Sequence, residues 1–127
     1  MPPAKRAIVT THDALGYFAR RYGVKVVGAV IPSLSTQAQA SAGDVQRLVD
    51  QIRREGVEAI FPESSVNPDI EKAIAREAGA SIGDPLYADS MGREGSPGET
   101  YTGALAADAS ALVRGMSGGR VSCDLRP

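Results

Sequence analysis

Residues Arg6 to Leu15 read R-A-I-V-T-T-H-D-A-L. The run Ala7 to Thr11 is apolar and β-branched, the composition of a short strand buried on both faces. It passes directly into a helix expected from about Asp13 to Tyr22. Leu15, Phe18, Ala19 and Tyr22 recur there at helical spacing and form the expected core face. Gly23 suits the left-handed conformation that closes such a helix. The single histidine of the chain, His12, falls at the strand-to-helix junction. In open α/β sheets, ligands bind beyond the carboxyl ends of the strands, so a histidine there is placed for chemistry. A surface histidine near a helix start is the plainer reading, and position alone leaves both open.

The same strand-then-helix unit recurs along the chain. Lys25 to Ile31 is a second strand, followed by a polar loop from Pro32 to Gly43. Loops of that length in compact domains are usually functional or mobile. Ser41 with Asp44 three residues later resembles an N-cap with an acid in the first turn. The helix that follows runs to Glu55, with Val45, Leu48, Val49 and Ile52 on one face. Val57 to Phe61 is the third strand, and Asn67-Pro68 opens a third helix. Ile70, Ala73, Ile74 and Ala78 are its expected buried side. Ala80 to Asp89 contains Gly83 and Pro85, which predicts a bent or interrupted strand with Leu86 to Ala88 entering the sheet. An exposed Gly/Pro-rich loop, Ser90 to Glu99, precedes a fourth helix from Thr100 to about Met116. Its apolar stripe reads as Tyr101, Leu105, Ala109, Leu112, Val113 and Met116. Residues 5–116 thus form one domain, and residues 117–127 an irregular or disordered tail.

Alternating strands and helices, joined by right-handed crossovers, build a parallel sheet covered on both faces. The fold class is α/β, a three-layer αβα sandwich around a four-stranded parallel sheet. Every strand then points its carboxyl end at one edge. That edge collects His12 after the first strand, Glu63 after the third and Asp89 after the fourth. One imidazole with one or two carboxylates is a donor set for a divalent metal. The same groups also suit general acid and base work. Their sequence spacing is not a compact motif of the H-E-x-x-H kind.

Composition excludes other classes. With 14 Lys+Arg against 15 Asp+Glu, the chain has a net charge of −1. The charges are scattered, so there is no basic face for nucleic acid. A lone cysteine, Cys123, rules out an internal disulfide and a Cys-rich zinc module. There is no phosphate-binding G-x-x-x-x-G-K-[ST] loop, no G-x-G-x-x-G after the first strand and no G-x-S-x-G elbow. No apolar run has the length of a membrane span. Residues 1–6 carry no apolar signal-peptide core, which leaves a cytosolic protein or a chain without its original N-terminus.

Four stretches carry a resemblance: T-T-H-D-A-L-G-Y-F-A-R-R-Y-G from Thr10, I-P-S-L-S-T from Ile31, F-P-E-S-S-V-N-P from Phe61 and G-D-P-L-Y-A-D-S from Gly83. They closely resemble the C-terminal lobe of the zinc- and manganese-binding solute-binding proteins of metal ABC importers. The resemblance spans Lys5 to Met116. It implies one lobe of a two-lobed protein, with a strand order of 2-1-3-4 and Zn²⁺ or Mn²⁺ held between the lobes. In that family the C-terminal lobe supplies a His or Glu after its first strand and an Asp after its last, which fall here on His12 and Asp89. Glu63 matches a family acid near the site, carried over as a supporting group or extra ligand.

The implied function is capture of the ion and delivery to an ABC permease in the membrane, outside the cytoplasm, without enzymatic turnover. The chain departs from the family pattern in lacking the N-terminal lobe, its two ligand histidines, the connecting helix and the signal sequence. It therefore reads as an excised domain or a half-length relative. Its bare lobe face is expected to self-associate, with a homodimer as one outcome, or to be mobile. Two rival readings remain: a small metal-dependent or acid/base hydrolase using His12, Glu63 and Asp89, or a non-catalytic dimerising domain.

Overall fold

A computed structural model describes residues 1–31 and 41–125. Most of the expected Pro32 to Gly43 loop lies outside the described residues. The strands are β1 (Ala7–Thr10), β2 (Lys25–Ala29), β3 (Ala59–Phe61) and β4 (Ser81–Ile82). The helices are α1 (Gly16–Tyr22), α2 (Ala42–Glu55), α3 (Asp69–Ala78) and α4 (Tyr101–Met116). All strand pairs are parallel and the order is β2-β1-β3-β4. The expected α/β class and strand order are those observed.

The chain steps from β1 to β2 in one direction, then crosses back to β3 and β4 in the other. Right-handed crossovers must then place α1 on one face and α2 with α3 on the opposite face. Alternate side chains follow suit, because successive strand residues point to opposite faces. Ala7, Val9 and Ile60 pack with Leu48, Val49 and Ile52 of α2 and with Ile74 and Ala75 of α3. Ile8, Ala59 and Phe61 pack with Ala111, Leu112 and Met116 of α4, with Leu15 and Phe18 alongside. The reversal of direction falls between β1 and β3, and that switch point is where a cleft opens at the carboxyl edge of such sheets.

Local signals account for the helix ends. Ser41 and Asp44 form a reciprocal capping box on α2, each side chain accepting from the other residue's backbone N–H. Gly23, Gly56 and Gly79 close α1, α2 and α3 in the left-handed conformation. Thr100 caps α4 by accepting from the Gly103 N–H.

Several expectations shift. Helix α1 begins at Gly16, not near Asp13. The His12 carbonyl is taken instead by the Thr10 hydroxyl, at 2.9 Å, and the Ala14 amide, at 3.0 Å, so residues 11–15 form a turn. Tyr22 is 58% exposed and does not join the core. In α3 the inward residues are Glu71, Ile74 and Ala75, while Ile70 and Ala73 face out. One residue of rotation is about 100° of helix. Burying Glu71, which bonds Thr11, sets that rotation.

In α4 the inward row is Ala104, Asp108, Ala111, Leu112 and Met116, leaving Tyr101 and Leu105 exposed. A close approach fixes this face: a Cβ on Gly115 would lie 2.7 Å from Phe61 Cε1. The fourth strand is Ser81–Ile82, ahead of the Gly83 to Pro85 interruption. Leu86 makes only an isolated bridge to Glu63. Phe61 also explains Gly83, where a Cβ would come within 2.5 Å of the same ring.

Candidate metal centre

His12, Glu63 and Asp89 converge, with one ligand atom from each within 4.8 Å of the others. Each arrives by a different route. His12 leaves the end of β1 in the turn just described. Glu63 follows β3 and is anchored by its backbone N–H, which donates to Thr11 Oγ1 at 3.1 Å. Asp89 comes from the segment after Leu86. That segment is stitched to the end of β3 by Leu86 N to Pro62 O, at 2.8 Å, and Ser64 N to Leu86 O, at 2.9 Å.

The imidazole stands between the two acids. Nδ1 lies 2.5 Å from Glu63 Oε2, and Nε2 lies 3.1 Å from Asp89 Oδ2. His12 and Glu63 are buried, whereas the Asp89 side chain is 55% exposed. In the neutral tautomer that puts the proton on Nδ1, Glu63 Oε2 accepts from Nδ1–H and the Nε2 lone pair faces Asp89. A lone pair facing a carboxylate oxygen repels it unless a positive charge lies between them. A proton or a metal ion meets that need.

The spacing suits an ion. Bonds of about 2.0–2.2 Å at tetrahedral angles separate two donor atoms by about 3.4 Å, only a few tenths more than observed. The nitrogen–carboxylate donor set suits a divalent transition metal. Glu63 Oε1 is buried with no hydrogen-bond partner, the one such side-chain atom among the described residues. A buried carboxylate oxygen without a hydrogen-bond donor is costly.

Three supporting residues escaped the sequence reading. Thr11 Oγ1 donates to Glu71 Oε1 at 2.7 Å while accepting from the Glu63 amide, so α3 holds the end of β3 through β1. Asp108, buried in α4, accepts from the Tyr87 N–H at 2.8 Å. Burial pushes the Asp108 carboxyl up to about 6, the Tyr87 bond opposing the rise. The available signal was an acid inside an apolar helical face, Glu71 beside Ile74 and Asp108 between Ala104 and Leu112. The larger residues Ile70, Tyr101 and Leu105 masked it.

Residues 1–115 match the family described as zinc-uptake complex component A, periplasmic. The chain is 36% identical over 121 residues to the manganese-binding lipoprotein MntA of Bacillus subtilis, covering 91% of this chain and 39% of that protein. It is 29% identical over 117 residues to the metal ABC transporter substrate-binding lipoprotein FimA of Streptococcus parasanguinis, covering 92% of this chain and 37% of that protein. The solved structure of the periplasmic zinc-binding protein TroA from Treponema pallidum superposes with a TM-score of 0.83 at 35% identity, over 91% of this chain and 43% of that one. The chain thus spans about two-fifths of the length of the relatives it matches. With most of its length matched by that family, the chain belongs to the zinc-uptake complex component A family.

Proposed function

We propose that this chain binds a divalent transition metal, Zn²⁺ or Mn²⁺, as the C-terminal half of a solute-binding subunit serving a metal ABC importer. The observation that carries this reading is the Nε2 to Oδ2 approach of 3.1 Å, with Glu63 on the opposite ring nitrogen. His12 and Asp89 are the ligands, and Glu63 orients the ring. Residues 5–116 make up the metal lobe, and the residues after them are a tail. The ion is cargo, held and released to a membrane permease outside the cytoplasm, and nothing is turned over. The binding names of the relatives support this over a hydrolase. An imidazole donor favours zinc over manganese, which prefers oxygen.

Two protein ligands leave the remaining coordination positions to water or to a second lobe. Calorimetric titration with ZnCl₂ and MnCl₂ tests the reading. Zinc binding that disappears in His12→Ala and nearly disappears in Asp89→Ala is the expected result. Zinc binding unchanged in His12→Ala overturns it.

A further inference from the structure

The segment that delivers Asp89 is held from two sides. Leu86 is bonded in both directions to the end of β3. The Tyr87 amide turns the other way, to Asp108 Oδ1 in α4, at 2.8 Å. Among the described residues, the next backbone–backbone hydrogen bond along the chain is Gly92 N to Gly98 O. Ala88 and Asp89 are therefore carried by the two residues before them.

The helix has no packing reason to place an acid at position 108. Its inward neighbours Ala104, Ala111 and Leu112 are apolar, and Asp108 itself is only 6% exposed. Among the described residues no basic side chain forms an ion pair with it. A lone buried carboxylate opposes folding, so its partner says what it contributes. That partner is the amide two residues ahead of Asp89. A cavity of about 280 Å³ lies along this segment, with Tyr87, Ala88, Asp89 and Asp108 in its wall. The arm thus lies beside open space on the α4 side, where this hydrogen bond ties it to the helix.

We propose that Asp108 is a positioning residue for Asp89: from within α4 its carboxylate fixes the Tyr87 amide and so aims the Asp89 carboxylate at His12 Nε2. This rests on Asp89 being a metal ligand, the reading given above. Asp108 does not touch the ion and acts through the arm.

The test compares the chain with Asp108→Ala, Asp108→Leu and Asp108→Asn. Alanine and leucine remove the acceptor, and leucine also fills the volume in case the alanine variant unfolds. Asparagine keeps an oxygen acceptor in the same place. Hydrogen exchange at the Tyr87 amide and the order parameter of the Asp89 amide are measured by NMR on metal-free protein, and zinc affinity by calorimetry.

Losing one charge-assisted hydrogen bond predicts about tenfold faster Tyr87 exchange and about tenfold weaker zinc binding. The Asp89 order parameter falls with them, and all three recover in Asp108→Asn. Faster Tyr87 exchange with zinc affinity and Asp89 order unchanged would make Asp108 purely structural and overturn the proposal. Unchanged Tyr87 exchange in the leucine variant overturns it too. If the unsubstituted chain binds no zinc, the metal reading fails separately, and the Tyr87 and Asp89 readouts still decide the positioning role.

Discussion

Replacing Glu63 with glutamine separates an orienting role from a ligating one. The carboxylate meets His12 Nδ1 at 2.5 Å, and both side chains are about 95% buried, so solvent does not screen the contact. Glutamine keeps a carbonyl oxygen that accepts from Nδ1–H but removes the charge that makes the imidazole more electron-rich. Partners of this kind typically contribute 10- to 100-fold in metal affinity, or about 1.4–2.8 kcal/mol. Glu63→Gln should therefore weaken zinc binding by that factor, measured by calorimetry against a competing chelator.

The metal-free protein should respond in the opposite sense. Glu63 Oε1 is buried without a hydrogen-bond partner, and a neutral amide costs less to bury than a carboxylate. Urea denaturation of the metal-free variant should show stability equal to or above that of the parent. Weaker binding together with undiminished stability cannot come from general damage to the fold. Unchanged affinity would refute the orienting role. A loss as complete as that of His12→Ala would instead make Glu63 a direct ligand.

Four-ligand structural zinc sites are worth about 10–16 kcal/mol, so two ligands should retain about 5–8 kcal/mol, a Kd between about 0.2 mM and 1 μM. Calorimetry showing nanomolar binding by a monomer would mean that further ligands exist. Asp108 makes stability fall as pH rises. Its folded carboxyl titrates near 6 rather than 3.8, so the folded state holds the extra proton between those values. Its contribution to stability should be fully present below about pH 4 and be lost as pH rises toward 6. Asp108→Asn should remove that slope, and parallel denaturation profiles for the two proteins would contradict it. Gly115→Ala should destabilise by about 1–3 kcal/mol despite the better helix former, because the new methyl meets the Phe61 ring. A raised thermal midpoint would show that the ring has room to move.

The sequence by itself determined the alternation of strands and helices, the capping box at Ser41 and the edge on which His12, Glu63 and Asp89 gather. These follow from local chemistry and chain order, since parallel strands share one carboxyl edge wherever their side chains point. Tertiary structure decided which ring nitrogen meets which acid and which faces of α3 and α4 turn inward. The largest apolar residues made Ile70, Tyr101 and Leu105 look like core. Glu71 and Asp108 took inward places because their partners, Thr11 and the Tyr87 amide, lie 60 and 21 residues away. A helix face is set by a rotation of about 100° per residue. A hydrogen bond to a segment distant in sequence can select that rotation, and no periodicity within the helix records it.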